Sequence, residues 1–237
     1  MLTWAYRQLV VFVAIVPLLL VAAAAVYANT LQEEGGGAVP PPAGEQPLDP
    51  AAEPAPRYPR IAWRLSRAVG KPFDGRLVNG VRLPSEGADF FTWDPVLEGS
   101  PNRWWRRFGT HRLLRVVLRV LREHREAFPW APRVGIGDLS RPQGGKFGRR
   151  FGGIGHASHQ NGLDVDIYYP RFDGLELRAA RVGQIDFELA QDLVDRFVDA
   201  GAEYVFVGPR TYLEGPRKRV VPLVHHDDHL HVRIRPR

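Results

Sequence analysis

The 237-residue chain has no cysteine and one methionine. Without thiols there is no disulfide framework, no thiolate metal site and no cysteine nucleophile. Acidic residues are scarce relative to basic ones: 26 Asp and Glu stand against 32 Lys and Arg, giving a formal charge of +6 and an isoelectric point near 10.0. That balance suits an anionic partner, whether nucleic acid, lipid headgroup or anionic cell wall, and selects none of them. No internal repeat is visible. What the chain does contain is ordinary globular material. With 44% hydrophobic, 24% charged and 11% aromatic residues it is not generally disordered, and its length suffices for a self-supporting core.

The first 57 residues differ from the rest. Leu9 to Ala28 is an apolar run broken only by Pro17, with Arg7 before it. The run is longer than the usual apolar core of a signal peptide and long enough to cross a bilayer. Val26-Tyr27-Ala28 has the small-residue spacing of a signal-peptidase site. Residues 1–28 therefore read as a signal peptide or an uncleaved membrane anchor, with the rest of the chain exported. Residues 29–57 hold seven of the 21 prolines, four glycines and no aromatics, at a net charge of −4. That composition predicts an extended, disordered tether. The remaining body, 58–237, carries +9. An exported, basic, cysteine-free body fits an extracytoplasmic location, in a periplasm or at a cell surface, and export argues against nucleic acid as the partner.

Within the body, residues 58–111 look loop-rich, with Trp63, Trp93, Trp104 and Trp105 among glycines and prolines. Thr110 can cap a helix running to about Phe128. Leu114, Val117, Leu118 and Leu121 fall on one of its faces, and Arg115, Arg119 and Arg122 on another. Short strands are expected at 133–137, 163–169, 204–207, 220–224 and 229–234, and a second helix capped by Asp186 ending near Gly201. A glycine-rich loop covers 140–158. Helices and strands without a regular alternation predict an α+β fold, with a central, mainly antiparallel sheet and flanking helices.

Six of the eight histidines fall in two short clusters. The first is His156-Ala-Ser-His159-Gln-Asn-Gly-Leu-Asp164-Val-Asp166, the second His225-His226-Asp227-Asp228-His229-Leu230-His231. His111 and His124 stand alone. In an extended strand, residues two apart share a face. Asp164 and Asp166 then share one face and His229 and His231 another, with apolar residues on the opposite sides. If the two strands are neighbours, imidazoles and carboxylates meet in a cleft. Once thiolate is excluded, these are the ligand types for zinc, and a catalytic zinc takes three of them. Gly162 would permit the sharp turn from loop to strand.

At these residues the chain resembles the penicillin-insensitive murein endopeptidases. These belong to a wider group of zinc peptidases that includes lysostaphin-type enzymes, D-alanyl-D-alanine peptidases and the hedgehog signalling domain. The matching blocks run from Gly137-Asp-Leu-Ser through Gly144-Gly145 to Gly155–Ile167, and from His226 to Arg233. The resemblance implies a zinc peptidase domain over 58–237 holding one zinc per chain. His159 and Asp166 match its His-x6-Asp ligand pair, and His231 the third ligand. His229 matches the catalytic histidine, and His156 and His226 additional active-site histidines. Asp164 has no ligand role in this transfer and is expected to orient a histidine from behind. Lys146, Arg149 and Arg150, in the glycine-rich loop, are candidates to bind substrate carboxylates.

The implied reaction is hydrolysis of the D-alanine to meso-diaminopimelate cross-link in peptidoglycan. Partners would be peptidoglycan peptides, and the membrane if the N-terminal segment stays uncleaved. Two other functions share the same residues: a D,D-carboxypeptidase acting on uncross-linked stem peptides, and a zinc-stabilised cell-wall-binding protein without turnover.

Overall fold

A computed structural model describes residues 58–148 and 156–236. The apolar run, the tether and residues 149–155 lie outside the described residues, as do Arg149 and Arg150. Among the described residues no helix is long and apolar enough to cross a membrane.

The Thr110 side chain accepts the backbone N–H of Leu113 and starts helix α1 (His111–Ala127). Such a cap is worth about 1 kcal/mol. Leu113, Leu114, Val117, Val120 and Leu121 form its buried stripe, while Leu118, expected among them, is half-buried at the stripe's edge. Arg115, Arg119 and Arg122 are exposed, as their spacing predicts. Asp186 caps helix α2 (Phe187–Asp199) in the same way, accepting from Leu189, and Leu189, Ala190, Leu193, Val194 and Phe197 face inward. The two helices are joined by a buried contact in which His124 of α1 lies 2.6 Å from Asp192 of α2. Arg196 Nε holds the same carboxylate oxygen, also at 2.6 Å.

Residues 58–109 supply more strand than expected: β1 (Arg67–Lys71), β2 (Asp74–Val78), β3 (Val81–Arg82), β4 (Phe90–Thr92) and β5 (Phe108–Gly109). Runs of two to five residues among glycines and prolines carry too little alternation to be read from sequence. β1 and β2 form a hairpin, and β3 pairs with β5. The main sheet has the order β4, β6 (Val134–Ile136), β7 (Asp164–Tyr168), β10 (His229–Ile234), β8 (Ala202–Val207), β9 (Val220–Pro222). Its three central pairings are antiparallel and its two outer ones parallel, so the α+β sheet is mixed with an antiparallel centre.

Alternation sorts the central strands onto two faces. Val165, Ile167, Leu230, Val232, Val205 and Val207 belong to one buried cluster with the inward residues of both helices. Burying one such side chain stabilises the fold by about 1.5–3 kcal/mol. The intervening residues, Asp164, Asp166, His229, His231, Arg233 and Phe206, point to the opposite face.

Candidate metal centre

β7 and β10 are neighbours, and their register sets His231 against Asp166, Arg233 against Asp164 and His229 against Tyr168. The chain enters β7 through two left-handed residues, His159 (φ 67°) and Gly162 (φ 75°). A side chain at position 162 would place its Cβ 2.8 Å from Leu77 Cδ1 and 3.1 Å from the Thr110 nitrogen. That N–H donates to the Gly162 carbonyl, so the turn is locked to the start of α1. The glycine-rich loop docks just as closely: a Cβ at Gly144 would lie 2.0 Å from the Gln160 carbonyl oxygen.

Three imidazoles turn one nitrogen outward to a fixed acceptor. His159 Nδ1–H donates to the Leu139 carbonyl at 2.7 Å. His231 Nε2–H donates to Asp164 Oδ1 at 2.8 Å, and His229 Nδ1–H to Asp228 Oδ1 at 2.7 Å. Each is left with its other nitrogen facing Asp166. His159 Nε2 lies 3.3 Å from Asp166 Oδ1, His231 Nδ1 3.7 Å and His229 Nε2 3.8 Å. An outer hydrogen bond that fixes the tautomer and ring plane is the usual support of a metal-binding histidine.

Two inner atoms, His159 Nε2 and Asp166 Oδ1, are buried without a hydrogen-bond partner. Leaving a buried polar atom unsatisfied costs about 1–3 kcal/mol. A cation between them would remove that cost for both. Ligands about 2.0–2.1 Å from a tetrahedral zinc stand about 3.4 Å from one another. The distances of 3.3, 3.7 and 3.8 Å from Asp166 Oδ1 to His159, His231 and His229 lie near that value.

Electrostatics separate these rings. Burial pushes the His231 imidazole down, to about 4, against the pull of Asp164, so the ring is neutral. Burial also disfavours charge on His159, but the Asp166 carboxylate outweighs it and lifts this group to about 9. The added proton would sit on Nε2, the atom a cation would take, so proton and metal compete for one position. Burial opposes ionisation of Asp166, yet the surrounding His159, His229 and His156 hold it well below the usual carboxylate range.

A second ligand set is possible, because ligand atoms of His156, His159 and Asp166 lie within 4.8 Å of one another. Each candidate third ring already has one nitrogen engaged. His156 Nε2–H already donates to Asp138 Oδ2 at 2.7 Å and stands 3.8 Å from Asp166 Oδ2. Asp138 is fixed by fully buried Arg106 at 2.9 Å and by Asn102 Nδ2 at 3.1 Å. His231 has Nε2 engaged by Asp164 and turns Nδ1 toward Asp166 Oδ1 at 3.7 Å. The two sets share His159 and Asp166 and differ in whether His156 or His231 supplies the third imidazole.

Ser158 Oγ stands 3.5 Å from His231 Nε2, which invites comparison with a serine triad. A triad base takes the serine on one ring nitrogen and the carboxylate on the other. Here Ser158 and Asp164 share Nε2, so no proton relay passes through the ring.

The cluster floors a cleft of about 750 Å³ whose walls include Phe73, Phe206, Leu223 and Val224. His226 lines it as well, with its Nδ1–H on the Val224 carbonyl at 2.8 Å and its ring 4.7 Å from that of His229. Lys146 is exposed and is not one of the described residues lining the cleft. A hollow of about 780 Å³ beside α2, lined by Gln191, Tyr212 and Glu214 among others, contains no histidine. Sequence reasoning missed Asp138, Asp228 and Arg233. The Gly137-Asp-Leu-Ser block held the first without a role. Asp228 sat inside the second histidine cluster, and Arg233 continues the two-residue period of His229 and His231.

A family profile described as penicillin-insensitive murein endopeptidase matches residues 68–198. That span includes His156, His159 and Asp166 and ends before β10. Three curated relatives carry the same name. The protein of Yersinia enterocolitica is 28% identical over 199 residues, covering 71% of this chain and 66% of that one. The protein of Pectobacterium atrosepticum is 26% identical over 199 residues, covering 71% and 64%. The protein of Yersinia pestis is 34% identical over 103 residues, covering 43% and 32%. The chain thus spans just under two thirds of the length of the first two and about a third of the last.

Proposed function

The chain belongs to the penicillin-insensitive murein endopeptidase family, and from that membership we propose that it is a zinc-dependent endopeptidase of peptidoglycan cross-links. The bond cut is that between D-alanine and meso-diaminopimelate. The observation that carries this reading is the convergence of three imidazole nitrogens on the buried, partnerless Asp166 Oδ1, at the floor of an open cleft.

His159 Nε2, Asp166 Oδ1 and His231 Nδ1 would hold one zinc per chain. Bound there, zinc would supply Lewis acidity and lower the pKa of water toward neutrality. His229 accepts a proton at Nε2, because Asp228 keeps the other nitrogen protonated and the ring plane fixed. The resulting imidazolium can stabilise the developing oxyanion and then return the proton to the leaving amine. Asp164 holds His231, and Asp138 holds His156 at the edge of the cluster. His226 stands at the cleft wall within ring contact of His229. No serine nucleophile takes part, so β-lactams have nothing to acylate.

The N-terminal run would carry the body across the membrane and either be cleaved or anchor it, with 29–57 as the tether. A reporter that works only outside the cytoplasm, fused after Arg57, should be active; silence at normal expression would contradict export. The function itself is tested by digesting purified cross-linked muropeptide dimers and uncross-linked stems in parallel. Cleavage of the dimers alone is the expected result. Trimming of stems alone would make the protein a D,D-carboxypeptidase, and wall binding without a new amine would make it a binding protein.

A further inference from the structure

Arg233 is the third cleft-facing residue of β10, two positions beyond His231. Its Nε donates to Asp164 Oδ1 at 2.7 Å, the same oxygen that accepts His231 Nε2–H at 2.8 Å. One carboxylate oxygen therefore ties the guanidinium to a candidate metal ligand. The guanidinium carbon also lies 5.8 Å from the centre of the Phe206 ring, and the side chain is 16% exposed. With Nε engaged, Nη1 and Nη2 make no hydrogen bond or ion pair to any described residue. Among the described residues lining the cleft, Arg233 is the only lysine or arginine.

Three physical features follow. The outer edge of the group offers two parallel N–H donors in a planar fork, the shape that grips a carboxylate at two points. The hydrogen bond to Asp164 and the ring packing hold the fork still before any ligand arrives, which lowers the entropic cost of binding. The apolar walls around it, Phe73, Phe206, Leu223 and Val224, strengthen a charge-assisted bond by limiting water.

We propose that the outer edge of Arg233 is a carboxylate-binding site that positions the peptide in the cleft. Resting on the endopeptidase reading, its ligand is the free carboxylate on the carbon that bears the leaving amine of the diaminopimelate residue. Gripping that group sets the scissile carbonyl against the His–Asp cluster. It also makes the protein select peptides whose carboxylate is free over those in which it is an amide.

The test is equilibrium binding to the full chain as purified, with product peptides that have no cross-link left to cut, so turnover plays no part. The probes are a diaminopimelate-containing product peptide and the same peptide with this carboxylate amidated. The free acid should bind wild type roughly 10–100-fold more tightly than the amide, and Arg233→Gln should reduce that preference to about threefold or less. Equal binding of acid and amide to wild type, or an equal loss for both in the variant, overturns the proposal. Should Arg233→Gln fail to fold, Arg233→Lys, which keeps a donor toward Asp164 and one charge, should show an intermediate preference; an unchanged preference refutes the fork. A protein that discriminates acid from amide yet leaves cross-linked dimers intact would sink the endopeptidase reading and leave this site standing. Cleavage of dimers without such discrimination does the reverse.

Discussion

The two faces of the central sheet are carried by the same strands and behave differently. On the helix side, Val165, Ile167, Leu230, Val232, Val205 and Val207 are at most 1% exposed. On the cleft side, one residue along the same strands, Asp164, Asp166 and His231 are 0%, 4% and 7% exposed. On the first face burial removes apolar surface from water and stabilises the fold. On the second it strips water from charged and polar groups and leaves His159 Nε2 and Asp166 Oδ1 without hydrogen-bond partners, which opposes folding. What separates the faces is chemistry: apolar groups on one, charged and polar groups on the other. Changes on the cleft side should therefore act on metal and rate, and changes on the helix side on stability.

The largest effect should come from emptying the cleft face of metal. A strong chelator should abolish cross-link cleavage, and zinc alone should restore it; activity that survives in a verified metal-free sample breaks the comparison. Next, His229→Ala should lower the cleavage rate by roughly 10²–10⁴, the usual scale of acid–base catalysis, while the chain keeps its zinc. On the opposite face, Leu230→Ala should cost about 2–5 kcal/mol in denaturant unfolding with zinc stoichiometry unchanged below the transition. Loss of zinc from that variant while it remains folded would show that the faces are not separable. Asp164→Asn, which weakens the support behind His231, should reduce zinc affinity roughly 10–100-fold in a competitive chelator titration. The smallest effect belongs to neither face: Arg119→Ala breaks an exposed 3.9 Å pair with Glu123 and should shift stability by no more than about 0.5 kcal/mol.

Much of this division is written in the order of residues. Period-two alternation through Asp164–Ile167 and His229–Val232 separates the faces without any coordinates, and Thr110 and Asp186 mark both helix starts. The rest depends on contacts distant in sequence. β4 reaches the sheet edge only by pairing with β6, and three residues of Phe and Thr carry no period to reveal it. Asp138 enters the site because the chain beyond β6 continues to pair with β7, the Asp166 N–H donating to the Asp138 carbonyl at 2.9 Å. Asp228 reads as one more acid in a polar run until its hydrogen bond to His229 is seen. The fork of Arg233 acquires meaning only once Asp164 is known to occupy its Nε.

Two histidines, His156 and His231, compete for the third ligand position beside His159 and Asp166, and only one of the two should be indispensable for holding metal. Zinc stoichiometry of the purified full chain, measured for His231→Ala beside His156→Ala, tests this most directly. With His159, Asp166 and His231 as the ligands, His231→Ala should fall to near zero zinc per chain and His156→Ala should remain near one. Retention of zinc by His231→Ala together with its loss from His156→Ala would contradict the account and assign the metal to His156, His159 and Asp166.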